Sequence, residues 1–167
     1  MSRMATHVRR LSFVTVLGLF ASSAFAQSPA EFINDASAKG MADIEASRLA
    51  HQKSESKEVK DYTIVVINDR TTANQHLAKI AKKLDLPVAP RDEMADKAKE
   101  MISEVKDGAT FDQAYAASQV KATEEAIQQI QQQAQTTDVP EIKAFADEIL
   151  PKLQNHLQMA RALQASR

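Results

Sequence analysis

The sequence predicts an all-α protein in which four long helices form one bundle. Apolar residues recur at spacings of three and four along four stretches of about 25 residues, which is the period of an amphipathic helix. The chain after residue 26 has two glycines, Gly40 and Gly108, and is rich in Ala, Gln, Glu and Lys, a composition that favours helices. The clearest break in the helical pattern, Leu86–Pro90, contains two prolines and predicts a linker.

Residues 1–26 have the three-part pattern of a secretory signal peptide. Three arginines precede an apolar run of ten residues, and Ala24 and Ala26 are the small residues before a cleavage site between Ala26 and Gln27. The apolar run is shorter than the roughly 20 residues that span a bilayer, although an uncleaved membrane anchor is an alternative. We expect a periplasmic or secreted protein with a single mature domain, residues 27–167, that has no transmembrane segment.

The composition argues against several classes of function. Removing the signal peptide takes three of the 21 basic residues and none of the 22 acidic ones, so 18 basic residues face 22 acids and the mature net charge is about −4. With no basic patch, a nucleic-acid partner is not expected. The chain has no cysteine, which excludes disulfides, a lipid-anchored N-terminus, thiol catalysis and thiolate metal sites.

The first long helix is expected to begin at Ser28 and to end near Lys53. Ser28 is a preferred N-cap residue, Pro29 suits the first helical position, and Glu31 places an acid in the first turn. The residues expected along its buried face are Ile33, Ser37, Met41, Ile44 and Arg48.

The second long helix is expected from about Ser54–Ser56 to Leu84. Its segment Ile64–Ile67 resembles a strand in composition, but the helical period continues on both sides for about 25 residues in all. After the proline linker, a shorter helix is expected from Asp92 to about Lys106, ended by the pair Asp107-Gly108.

The third long helix is expected to begin at Thr110, which forms a capping-box pattern with Gln113. A break at Thr136–Asp138 precedes the last helix, capped by Asp138 or Val139 near Pro140. Pro151 lies inside this helix and predicts a kink or a loosened turn, because proline removes one backbone donor.

These elements predict a ferritin-like antiparallel four-helix bundle with an extra short helix in the crossover between the second and third long helices. Short connections favour antiparallel neighbours, whereas the longer link between the second and third helices can cross the bundle.

Polar residues that interrupt the apolar stripes are the candidate functional residues. Glu45, Asp69 and His156 each lie between apolar residues at helical spacing, as does Thr123. If the first three face inward together, they could hold one iron, manganese or zinc ion through mixed nitrogen and oxygen ligands. The alternative is a hydrogen-bonded buried cluster in which Asp69 pairs with Arg70 or with His156.

No catalytic motif is present in the sequence. A ferritin-like di-iron site takes a Glu from each of two helices and Glu-x-x-His from each of the other two. None of the four histidines, at positions 7, 51, 76 and 156, follows an acidic residue by three positions. A Gly-rich phosphate loop and Gly-x-Ser-x-Gly are missing as well. We therefore predict no catalytic residue and no organic cofactor.

Segments along most of the chain, about residues 29–163, resemble the exported domain-of-unknown-function family 4142. The strongest similarity is in Leu150–Ala160, and the other segments are Gly40–Glu45 with Leu49-Ala50, Glu58–Lys60, Asn68–Asn74, Phe111–Tyr115 and Lys143–Ala146. The resemblance implies a ferritin-like four-helix bundle in the periplasm or at the cell envelope, with no established activity.

The sequence departs from the pattern of this family where metal ligands would be expected. The pattern usually has a His after the acid on the second helix and an Asp-His pair on the third, whereas this chain has Arg70 and Ala122-Thr123. Glu45, Asp69 and His156 match the pattern. Arg70 would place a fixed positive charge where a cation would otherwise bind.

Three classes of function are compatible with these observations. The favoured one is a non-enzymatic envelope protein, a structural, interaction or stress-related module with a protein partner of unknown identity. The second is a bundle that binds a metal or small ligand through Glu45, Asp69 and His156. The third, a ferritin-like oxidase or peroxidase, is the least favoured because its ligands are incomplete.

Overall fold

The computed structural model describes residues 27–102 and 111–166, and every regular element in this part of the chain is a helix. The helices are α1 (Pro29–Lys53), α2 (Lys57–Lys83), α3 (Arg91–Ile102), α4 (Phe111–Thr136) and α5 (Pro140–Ala165). The predicted all-α class is confirmed, and so is the short helix between the second and third long helices. The signal peptide, the helix end at Asp107-Gly108 and the Thr110 capping box are predictions that lie outside the described residues.

The start of α1 is fixed by a reciprocal cap. The backbone N–H of Glu31 donates to Ser28 Oγ at 3.3 Å, and the backbone N–H of Ser28 donates to Glu31 Oε2 at 3.0 Å. Hydrogen bonds from the Ser28 side chain and backbone lower the pKa of the Glu31 carboxyl below its ordinary value. The predicted N-cap at Ser28 is therefore confirmed, and α1 ends at the predicted Lys53.

The strand-like run Ile64–Ile67 is helical, as the longer pattern predicts. Val66 is buried in this run, whereas Ile64 is exposed. An α-helix has 3.6 residues per turn, so four consecutive residues point in directions all around the helix axis. The four β-branched residues therefore cannot all lie on the buried face. In α5, Pro151 is exposed and the helix continues on both sides of it.

The four long helices pack around a shared core. α1 contacts α2 and α4, α5 contacts α2 and α4, and α3 lies against α1. None of the helices in the described ranges is both long enough and apolar enough to cross a membrane.

The core consists of two apolar clusters, and each draws residues from all four long helices. The first contains the edge-to-face pair Phe32 and Phe145, with ring centroids 6.3 Å apart, and the second contains Tyr62 and Tyr115, 6.1 Å apart. Along each long helix a stretch of sequence separates the two clusters. Those four stretches contain the polar residues that form the candidate site.

Candidate functional site

A buried polar layer lies between the two apolar clusters. We define it by Asp43 on α1, Asp69 and Arg70 on α2, Thr123 on α4 and His156 on α5. Four of these residues are buried and Asp69 is partly exposed. Every long helix thus contributes a polar side chain to the centre of the bundle, where desolvation makes an unpaired polar group costly.

Arg70 and Asp43 form an ion pair inside the layer. Arg70 Nη2 lies 2.6 Å from Asp43 Oδ2, and the two side chains are only 7% and 10% exposed. A buried charge of either sign is tolerated when it is paired, and a guanidinium remains charged at any physiological pH. Arg70 Nε is buried and has no hydrogen-bond partner among the described residues, so the guanidinium is satisfied mainly through Asp43.

His156 and Asp69 form the second pair of the layer. His156 Nε2 lies 2.8 Å from Asp69 Oδ2, and the side chain of His156 is 1% exposed while that of Asp69 is 30% exposed. Burial lowers the pKa of His156 below its ordinary value, the charge of Arg70 adds to this effect, and the hydrogen bond to Asp69 opposes it. The neutral imidazole then donates its Nε2–H to the carboxylate, which can only accept.

Hydroxyl groups extend the polar contacts toward the second apolar cluster. Ser47 Oγ and Tyr115 Oη lie 2.8 Å apart, and the Tyr62 hydroxyl donates to Gln119 Oε1 at 3.3 Å. Burial raises the pKa of both tyrosines well above the ordinary value. Both phenols therefore remain protonated and act as hydrogen-bonding groups.

The prediction that Glu45 faces into the bundle is wrong. The Glu45 side chain is half exposed and pairs with Arg48 on the same helix. The buried face of α1 passes through Asp43, Ser47 and Ala50. Glu45 follows Asp43 by two residues, a rotation of about 200° around the helix, which places it away from the layer. Arg48, which was expected along the buried face, also lies off the line of Asp43, Ser47 and Ala50, and its side chain is exposed.

Of the three predicted metal ligands, the structure brings together Asp69 and His156 but not Glu45. Within residues 27–102 and 111–166, no group of three or more His, Asp and Glu side chains is arranged to hold a metal ion. The metal-binding role stays a prediction. The alternative reading, a pair between Asp69 and His156, is confirmed, whereas Arg70 pairs with Asp43 and not with Asp69.

Sequence reasoning missed Asp43, although it is the acid on which the buried charge of Arg70 depends. A signal was present: Asp43, Ser47 and Ala50 follow one another at spacings of four and three. Small and polar residues fill this face of α1, so an apolar stripe alone does not reveal it.

His156 is almost completely enclosed, and its Nε2 is already engaged by Asp69. A general base must reach the proton of a substrate at hydrogen-bond distance. Buried polar groups that pair with one another help to specify how the helices around them pack.

The fold and the site together define a class: an all-helical bundle with a buried, largely self-paired polar layer at its centre. The chain belongs to the family described as Domain of unknown function (DUF4142), whose model matches residues 16–163. This confirms the resemblance found in the sequence. No curated protein and no solved structure matches the chain.

Proposed function

We propose that this chain is an exported, non-enzymatic helical-bundle module of the cell envelope, with a structural or interaction role. In this proposal the polar layer fixes the packing of the four long helices and holds no metal. The observation that carries the proposal is the buried guanidinium of Arg70, paired with Asp43 at the centre of the bundle.

The charge of Arg70 supports this assignment because it acts where a metal would have to bind. Arg70 follows Asp69 directly in the chain, and its charge contributes to the lowered pKa of His156. A divalent cation bound by Asp69 and His156 would be repelled by the same guanidinium in surroundings of low dielectric constant. Arg70 thus supplies the positive charge that balances Asp43, without a metal.

We further infer that the bundle is ferritin-like, with antiparallel neighbouring helices. Side-chain contacts between α1 and α2 run in opposite order along the two helices: Ser37 with Asn74, Asp43 with Arg70, and His51 with Thr63. Those between α2 and α5 do the same: Asp69 with His156, His76 with Glu148, and Lys83 with Glu141. These pairings, with the long connection between α2 and α4, support one crossover as in ferritin-like folds.

Export is supported by the tripartite pattern of residues 1–26 and is tested on the mature N-terminus. The full-length chain is expressed in a Gram-negative host, and the protein in the periplasmic fraction is sequenced by mass spectrometry. We expect a chain that begins at Gln27. Protein that stays in the cytoplasm with residues 1–26 attached would overturn export, and an intact N-terminus in the membrane fraction would indicate an uncleaved anchor.

The metal-free role is tested by metal analysis and thermal unfolding of the periplasmic protein. We expect no stoichiometric iron, manganese or zinc, and no change in Tm on addition of these ions, because a ligand that binds the native state must raise stability. Stoichiometric metal that is lost in His156→Ala but retained in His76→Ala would overturn the proposal. That result would establish the competing function, a metal-binding bundle, which the 2.8 Å approach of Asp69 to His156 favours.

A further inference from the structure

A cavity of about 440 Å³ lies between α1, α2 and the beginning of α3, and none of the polar-layer residues lines it. Its volume corresponds to about 15 water molecules at roughly 30 Å³ each. Sites for small organic ligands have volumes of about 300–1,000 Å³. The cavity is thus large enough for a small organic molecule and is separate from the site discussed above.

The walls of the cavity are largely apolar. Ile33 and Ile44 contribute from α1, Ala78 from α2 and Met94 from α3, and Val88 contributes from the linker. Val88 is 38% exposed, one of two large apolar side chains exposed in the described part of the chain. The apolar wall is therefore open to solvent at Val88.

The linker that carries Val88 is held in place on both sides. Asp85 has a φ of 50°, and the backbone N–H of Leu86 donates to the Ala81 carbonyl at 3.0 Å, which is a Schellman ending of α2. The backbone N–H of Ala89 donates to Asn34 Oδ1 on α1 at 2.7 Å. The wall formed by the linker is therefore preformed, which lowers the entropic cost of binding.

An arginine at the first position of α3 supplies a charge at this apolar site. Arg91 lines the cavity, is exposed, and forms no ion pair with any described residue. The other arginine of the cavity, Arg48, pairs with Glu45. A free guanidinium beside an apolar wall matches a ligand with a carboxylate at one end and a hydrocarbon chain at the other, since Arg binds carboxylates in a two-pronged geometry.

We propose that this cavity binds a small amphipathic carboxylate of the fatty-acid class. The carboxylate contacts Arg91, and the acyl chain lies against Ile33, Ile44, Ala78 and Met94. This inference goes beyond the role proposed for the polar layer and does not depend on it. Binding of a carboxylate and binding of a metal are measured in separate experiments. A protein that does not bind decanoate would therefore leave the role proposed for the polar layer unaffected.

The first test is a calorimetric titration of the mature protein with decanoate below its micellar concentration. We expect saturable binding with one decanoate per chain, and weaker binding of decan-1-ol, which has the same chain without the charge. In Arg91→Gln the affinity for decanoate should fall about tenfold, as for the loss of one charge-assisted contact. Lys143→Gln removes an exposed charge from α5 and should leave the affinity unchanged.

The second test fills the cavity. Ala78 is an exposed residue of α2 at the cavity wall, so Ala78→Phe should fold normally, as circular dichroism would show, and should abolish decanoate binding. Ala144→Phe places the same side chain at an exposed alanine of α5 outside the cavity and should bind as the wild type does. The proposal is overturned if the wild type shows no saturable binding, if Ala78→Phe binds equally well, or if decan-1-ol binds as tightly as decanoate.

Discussion

The carboxylate of Asp43 on α1 and the guanidinium of Arg70 on α2 meet at 2.6 Å in the centre of the bundle, and both side chains are at least nine-tenths buried. A pair in such a position must recover the cost of removing two charges from water, and this often leaves little net gain in stability. The pair is better explained by what it specifies, which is the register of α1 against α2. Only one axial position and one rotation of the two helices bring the two groups together.

Breaking the pair on one side should be strongly destabilising. Asp43→Asn leaves the guanidinium buried without a counter-charge, and we expect the free energy of unfolding to fall by about 3–5 kcal/mol, as measured by urea denaturation. Glu45→Gln on the same helix breaks only the exposed pair with Arg48 and should change stability by no more than about 1 kcal/mol.

Replacing both members should reverse most of that loss. In Asp43→Leu/Arg70→Met no buried charge remains, and we expect a stability within about 1–2 kcal/mol of the wild type, or above it. If the losses of the single variants Asp43→Leu and Arg70→Met simply add in the double variant, the two groups are not coupled and the register interpretation fails.

The stability of the protein should depend on pH through His156. The pKa of His156 in the folded state lies below its ordinary value of 6.5, chiefly through burial, so the unfolded chain binds a proton more readily. The contribution is fully present above a pH of about 6.5 and is lost as the pH falls toward the folded pKa, with a slope of up to about 1.4 kcal/mol per pH unit. Urea unfolding across this range measures the slope.

The matched control for the pH experiment is a second histidine. In His156→Gln the slope below about pH 6.5 should be reduced relative to the wild type. His76→Gln, at a more exposed contact with Glu148, should retain it. The charged groups that face His156, which are Asp43, Asp69 and Arg70, are present in both variants, so the two variants differ in which imidazole is lost. Equal slopes in the wild type and His156→Gln would contradict the assignment.

Gly40 leaves room for the Asn74 side chain of α2 to lie against α1. A Cβ at this position would overlap Asn74 Oδ1 and lie 3.0 Å from Asn74 Nδ2, which donates to the Ser37 carbonyl at 3.1 Å. We expect Gly40→Ala to lower the free energy of unfolding by up to about 1 kcal/mol, because the overlap with Asn74 and the displaced hydrogen bond outweigh the better helix propensity of alanine.

The sign of the Gly40 effect should depend on Asn74. In an Asn74→Ala background the obstruction is gone, and Gly40→Ala should raise stability by about 0.5–1 kcal/mol through helix propensity alone. A destabilisation of the same size in both backgrounds would show that another contact excludes the methyl group. Thermal or urea unfolding of the four proteins provides the comparison.

Asp85 occupies a backbone conformation that suits glycine. Its φ of 50° at the end of α2 is in the left-handed region, where a residue with a Cβ is strained. Asp85→Gly should therefore raise the free energy of unfolding by about 0.5–1 kcal/mol, and Asp85→Ala should lower it. Chemical denaturation of the two variants measures the change in the free energy of unfolding. Stabilisation by both substitutions would show that the charge of Asp85 matters more than its backbone conformation.

The sequence allowed the limits of most helices to be predicted because the signals for them are local. Ser28 with Glu31 begins α1 through contacts three residues apart, and Pro87 with Pro90 excludes a helix through covalent geometry. The family could also be recognised, since the resemblance and the matching family model rest on sequence patterns along most of the chain.

The candidate site could be predicted only in part. His156 and Asp69 were identified because they interrupt clear apolar stripes. Asp43 was missed and Glu45 was expected to face inward because α1 buries small and polar residues such as Ser37 and Ser47, so its apolar residues do not define the buried face. A small error in the rotation of a helix exchanges a buried acid for an exposed one.

By itself the sequence determined the all-helical class, the helix starts and stops, and the presence of polar residues in the middle of the stripes. Only the tertiary structure decided that Arg70 pairs with Asp43 and that Asp69 pairs with His156. The physical reason is that helix formation depends on residues within one or two turns, whereas the partner of a buried charge comes from another helix. That partner is set by the rotation and axial position of both helices, which depend on the packing of the whole core.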